Sequence, residues 1–288
     1  MRTISLTEAP QGIDPQLWRI DDAPAPVAGD LWLLSWDGTG LALGMVSSVH
    51  DGFVLVWPVS LPGDPVSRPA VTVTDTPLGV DLHVWPSRET GVGIELLHRR
   101  LGSMLDQQTI AATADAFDDG EPPPLPFADE PTDEQVARDY SLDMIEAWES
   151  ICLRQWPQAG RTIVLDPDLL RRAELTPSRV AKTLGLESAD AIHAFRGESS
   201  LSTSQAEQLA SSAGVDLEDL AAAASTGLVA RLLVQPARKA STLAVASALG
   251  VGESQARDRI AAEYALAARS SGDASQRLDA VFDRMLRE

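Results

Sequence analysis

Cysteine is almost absent from this chain of 288 residues: Cys152 stands alone, which excludes an internal disulfide framework and predicts a reducing, cytoplasmic setting. Long apolar runs are missing as well. No stretch approaches the roughly 18 apolar residues of a membrane span, and Met1-Arg2 leads into Thr, Ser and Glu rather than a signal-peptide core. No membrane partner is expected. Histidine is scarce, and among His50, His83, His98 and His193 no two have metal-ligand spacing. HExxH, CxxC, P-loop and GxSxG motifs are lacking, and Gly91-Val-Gly93 is too short for a nucleotide loop. The sequence therefore nominates no catalytic residue, no metal site and no cofactor, and the chain is expected not to be an enzyme.

Basic residues are few. The chain has 23 basic and 42 acidic residues, a net charge of −19, unevenly spread. Residues 1–159 hold 8 basic and 25 acidic residues (−17), and residues 160–288 hold 15 and 17 (−2). Phosphate neutralisation supplies most non-specific nucleic-acid affinity, so any such affinity must come from local clusters.

What is present falls into two textures, and the fold class expected is α+β and multi-domain. Residues 1–28, the N-terminal lead-in, carry little pattern, and Pro24-Ala-Pro-Val-Ala28 reads as polar with local polyproline character. From Gly29 to residue 105, β-rich runs recur at Leu31–Trp36, Leu41–Val49, Phe53–Val59, Ala70–Thr74 and Asp81–Trp85, broken by Gly, Asp and Pro. That spacing predicts a small antiparallel β-barrel with its clearest tight hairpin at His50-Asp51-Gly52 and a core closed by Trp32, Trp36, Trp57 and Trp85. His98-Arg99-Arg100 is the cationic cluster of this half, either a strand or helix end or a phosphate site. Residues 106–131, with Asp118-Asp-Gly-Glu-Pro-Pro-Pro-Leu-Pro, read as an acidic Pro-rich linker; a partner-binding or DNA-mimicking strip is the alternative.

The segment 29–105 resembles the SH3-like barrel of MazF/PemK-type toxins, through Gly29-Asp-Leu-Trp-Leu-Leu and Gly91-Val-Gly-Ile-Glu-Leu-Leu-His-Arg-Arg-Leu101. That family's RNA cleavage uses an Arg after the first loop to stabilise charge on phosphate. Gly40-Leu-Ala-Leu-Gly-Met45 stands there instead, and Arg68-Pro69 falls after the third strand. The resemblance implies a barrel kept as a scaffold or binding surface; a divergent ribonuclease is the alternative.

Thr132-Asp-Glu-Gln135 matches a capping box and opens a helical region, 132–226, followed by a further helical region, 227–288. The first helix carries Val136, Tyr140, Met144, Trp148 and Ile151 at helical spacing and ends near Trp156-Pro157. Further helices are expected at 167–173, 177–184, 188–196, 204–213, 217–224, 238–249, 253–269 and 274–287. Pro177-Ser-Arg-Val-Ala-Lys-Thr-Leu-Gly-Leu-Glu-Ser-Ala-Asp-Ala-Ile-His-Ala-Phe-Arg-Gly197 is two short helices joined at Gly185 with small Ala191 facing the turn. With the run through Leu220, it resembles the Cro/lambda-repressor (XRE-type) helix-turn-helix family. The resemblance implies base-edge positions at Ser188, Ala189, Ile192 and His193 and phosphate positions at Arg179, Lys182 and Arg196. Glu187 and Asp190 would repel phosphate, and neither Arg, Asn nor Gln precedes Arg196 on that helix.

Val180-Ala-Lys-Thr-Leu-Gly-Leu186 is echoed by Val245-Ala-Ser-Ala-Leu-Gly-Val251, with Ala191 and Ala256 at matching places. The echo fits a second helix-turn-helix with Gln255, Arg257 and Arg259 outward, or equally a tight helical hairpin. These readings imply a DNA-binding transcriptional regulator of toxin–antitoxin, phage or stress-defence type, bound to double-stranded DNA as a homodimer. The alternative is an antitoxin or scaffold gripping a protein partner, a toxin or protease, through the acidic N-terminal half.

Overall fold

The computed structural model describes residues 4–19, 23–129, 133–156, 163–221, 226–267 and 273–287. Thr132, Pro157, the end of the expected linker and the ends of the helices expected over 217–224 and 253–269 lie outside the described residues. The architecture is α+β, with a curled antiparallel sheet in the N-terminal half and helices in the C-terminal half. Two compact units divide the chain: Met1–Gln155 with Gln235–Ala240, and Trp156–Val234 with Ser241–Glu288.

In the first unit, α1 (Pro15–Trp18) precedes β1 (Asp30–Trp36), β2 (Thr39–Val49), β3 (Phe53–Ser60), β4 (Val71–Val73), β5 (Leu82–Val84), β6 (Thr90–Gly93) and β7 (Leu97–Ser103). All five expected strands form. The sheet runs β4-β5-β3-β2-β1-β7, with β6 paired to β3, and curls into a half-barrel. The β2–β3 hairpin turns at His50-Asp51-Gly52, where His50 N–H donates to Phe53 O at 2.9 Å. Alternate residues build one core: Leu31 and Leu33, Leu43 and Met45, Trp57 and Val59, Val71 and Val73, Leu82 and Val84. That is the period of two that a pleated strand imposes.

Three expectations for this unit need correction. The lead-in, patternless in the sequence, is not separate from the sheet: Ile4, Ile13 and Trp18 belong to its core, and Trp18 Nε1 donates to Ser5 O at 3.2 Å. The expected linker contains α2 (Gln107–Asp119), capped by Asp106, whose Oδ1 accepts from Thr109 N–H at 2.8 Å. Its Ile110, Ala114 and Phe117, at helical spacing, pack on the sheet core. After the proline run, Thr72 N–H donates to Pro126 O (2.8 Å) and Ala128 N–H to Ala70 O (2.9 Å), so this stretch extends the β4 edge. Proline lacks a donor but keeps its acceptor, which is all that pairing needs there.

Third, α3 (Glu134–Cys152), capped by Asp133, belongs with the sheet and not with the C-terminal helices. Its Trp148 lies against the face opposite the first core. A Cβ added at Gly44 would come within 3.2 Å of the Trp148 ring and 3.1 Å of Leu34. With both faces covered, Leu31 to Leu34 are all fully buried, which explains an unbroken apolar run where a one-sided sheet would alternate.

The second unit holds β8 (Ile163–Val164), α4 (Pro167–Arg172), α5 (Pro177–Leu184), α6 (Ser188–Phe195), β9 (Ser200–Leu201), α7 (Thr203–Ala213), α8 (Thr226–Leu233), α9 (Lys239–Leu249), α10 (Glu253–Leu266) and α11 (Ala274–Met285). It is not all helix. β8 and β9 pair antiparallel, and Leu165 bridges Ala221. α8 was not expected. α9 begins in the first unit, with Lys239 and Ala240, and continues in the second.

Candidate nucleic-acid interface

Local chemistry shapes α5 and α6. Thr176 Oγ1 accepts from Arg179 N–H at 3.3 Å, and Pro177 occupies the first turn, where its missing donor costs nothing. Gly185 adopts φ +64°, and Leu186 N–H returns to Ala181 O at 3.1 Å. This left-handed stop favours glycine because a Cβ there is strained. Val180, Ala191 and Ala194 are buried, so the two short helices meet across small or compact side chains.

The opposite faces are open. Arg179, Lys182, Ser188, Ala189, Ile192, His193 and Arg196 are all exposed. Two of them are already engaged: Arg179 Nη2 donates to Ser212 O at 2.7 Å, and His193 Nδ1 lies 2.8 Å from Glu198 Oε2. Glu187 and Asp190 are exposed beside them. The face thus mixes three cations with three carboxylates and offers Ile192 as an apolar contact of the kind that meets a thymine methyl.

The sequence echo is reproduced in backbone detail. Gly250 adopts φ +62°, Val251 N–H returns to Ala246 O at 3.0 Å, and Val245 and Ala256 are buried as Val180 and Ala191 are. Gln255 and Arg259 are exposed on α10. Arg257 is not, and its assignment to an outward face is corrected. It is fully buried, donating through Nη2 to Glu253 Oε1 at 2.7 Å and through Nη1 to Leu233 O, with its guanidinium over the Trp156 ring. Glu253, Ala256, Arg257 and Ile260 form the inward stripe of α10. A Glu–Arg pair four residues apart reads as surface decoration in sequence, and only the packing of the unit places it inside.

In the first unit, the His98-Arg99-Arg100 cluster lies within β7 and is structurally committed. Arg99 Nη2 donates to Leu6 O at 2.7 Å with its guanidinium over Trp18, Arg100 pairs with Asp30 at 2.8 Å, and His98 Nδ1 hydrogen-bonds with Ser35 Oγ at 3.0 Å. The glycines standing where a MazF-type arginine would be expected have steric roles. A Cβ at Gly40 would lie 2.1 Å from Ile4 O, and Gly44 lies under Trp148. Among the described residues, no group of His, Cys, Asp and Glu is placed to hold a metal ion, and no helix is long and apolar enough to cross a membrane.

Compared with family models, curated proteins and solved structures, the chain matches none.

Sequence reasoning missed a second set of cations. Arg68, Arg88 and Arg138, far apart in the chain, line one cavity of the first unit. No local motif could have announced them.

Proposed function

We infer that the chain is a DNA-binding transcriptional regulator of the Cro/lambda-repressor type, acting as a dimer by binding rather than catalysis. Its N-terminal unit, an SH3-like barrel of MazF/PemK kind without the arginine, is the partner-binding or sensing part. The supporting observation is the polarity of the α5–α6 pair: Val180, Ala191 and Ala194 are inward, while Arg179, Lys182, Ile192, His193 and Arg196 are outward. In this reading α6 enters the major groove and Arg179, Lys182 and Arg196 hold phosphates, with Gln255 and Arg259 of the second helix pair adding contacts.

Fluorescence anisotropy with duplex fragments from around the chain's own gene tests this. Binding at about 50 mM salt should weaken steeply toward about 200 mM, and Arg179→Ala with Arg196→Ala should weaken it further and flatten the salt slope. A second reading, a protein-binding antitoxin or scaffold, is favoured by the carboxylates Glu187, Asp190 and Glu198 beside α6. Absence of any duplex binding at the lower salt would select it.

A further inference from the structure

Arginine is sparingly used in residues 1–159, where 8 basic residues face 25 acidic ones. Arg99 and Arg100 are engaged within the fold, as described. Three others converge. Arg68 in the β3–β4 connection, Arg88 at the end of the 3-10 turn Pro86–Arg88 and Arg138 on α3 line a single cavity of about 410 Å³. Like charges brought to the lining of one cavity raise the local positive potential and favour an anionic occupant.

Arg68 is already engaged within the fold. One acid, Glu134, lines the cavity, and neither Arg88 nor Arg138 forms a side-chain hydrogen bond or ion pair with the described residues. Arg68 is oriented by stacking, its guanidinium 4.7 Å from the centre of the Phe127 ring. Pro69, Leu142 and Ile145 add an apolar wall, and Ser141 a hydroxyl. Guanidinium forks match the geometry of a phosphate's oxygens, and a wall of this kind suits a compact apolar group attached to it.

We propose that this cavity is a binding site for a small organic phosphomonoester: the phosphate lies among Arg68, Arg88 and Arg138, and its substituent lies on Leu142 and Ile145. The site lies wholly in the first unit and does not depend on whether α5–α6 meets DNA. A volume of this size suits a small molecule.

Isothermal titration calorimetry of the full chain with phenyl phosphate in phosphate-free buffer tests it, with inorganic phosphate and phenol as competitors. Saturable binding should be displaced by inorganic phosphate and not by phenol. Arg88→Gln with Arg138→Gln, both exposed, should weaken it at least about tenfold with an unchanged melting temperature. Glu134→Gln, which removes the opposing carboxylate, should tighten it severalfold, a gain that a damaged fold would not produce. No binding up to about 10 mM, which corresponds to under about 3 kcal/mol, would overturn the proposal. So would displacement by phenol, indifference to the double arginine substitution, or a loss of affinity in Glu134→Gln.

Discussion

Lys239 and Glu95 meet across 144 positions of sequence: the lysine ammonium donates to the Glu95 carbonyl oxygen at 2.7 Å. The same ammonium donates to Ser35 O at 3.0 Å and lies 5.4 Å from the centre of the Trp36 ring, and the lysine is 1% exposed. A short segment, Gln235–Ala240, is thereby held in the first unit although both its flanks belong to the second.

Replacing Lys239 with Met keeps the volume and removes the donors. Two buried carbonyl oxygens then lose charge-assisted partners, and the first unit should be destabilised by about 2–3 kcal/mol. The midpoint of urea unfolding, followed by tryptophan fluorescence, checks this; an unchanged midpoint would refute the pinning role.

Two arginines of α10, two residues apart, should behave oppositely. Arg257→Ala leaves Glu253 buried without its cation and should cost about 3–5 kcal/mol. Arg259→Ala, on the exposed face, should change stability by less than about 0.5 kcal/mol. Under the DNA-binding reading, only the second substitution should weaken duplex binding without loss of folded protein.

Gly40 admits the N-terminal segment. In Gly40→Ala the new Cβ would lie 2.1 Å from Ile4 O, against backbone, so the Ile4–Gly40 bridge should open at a cost of about 1–3 kcal/mol. Limited proteolysis should then cut before Trp18 faster than in the parent chain.

His83 supplies a pH dependence. Burial holds its imidazole below the ordinary 6.5, outweighing Asp81, Asp129 and Asp64, which act to raise it; Nδ1 hydrogen-bonds with Thr72 Oγ1 at 3.2 Å. The unfolded chain therefore takes up this proton more readily than the folded one. The contribution of this group is complete above 6.5 and is lost as pH falls through 6.5 toward the lower folded value. The thermal midpoint should fall between about pH 7.5 and pH 5.5, and the fall should be smaller in His83→Gln.

Much of the secondary structure was legible in the sequence. The runs Leu31–Trp36 and Phe53–Val59 carry strand composition, and Thr176-Pro177 and Gly185 bracket α5; each signal acts between neighbours in the chain. The candidate site was legible only in part. The outward positions of α5 and α6 follow from the helical period, yet the same reasoning put Arg257 on the surface. β7 was seen only as the end of an element and α8 was missed, and α2 was hidden behind the acid and proline that follow it.

By itself the sequence determined the local elements, the glycine stops that shape both helix pairs and the charge imbalance between the two halves. Tertiary structure alone decided that α3 covers the second face of the sheet, that Lys239 and Arg257 are buried, and that Arg68, Arg88 and Arg138 share a cavity. The physical reason is range. Turn and cap energies are set by residues a few positions apart, whereas burial and charge convergence depend on contacts whose partners the chain separates by tens to hundreds of positions.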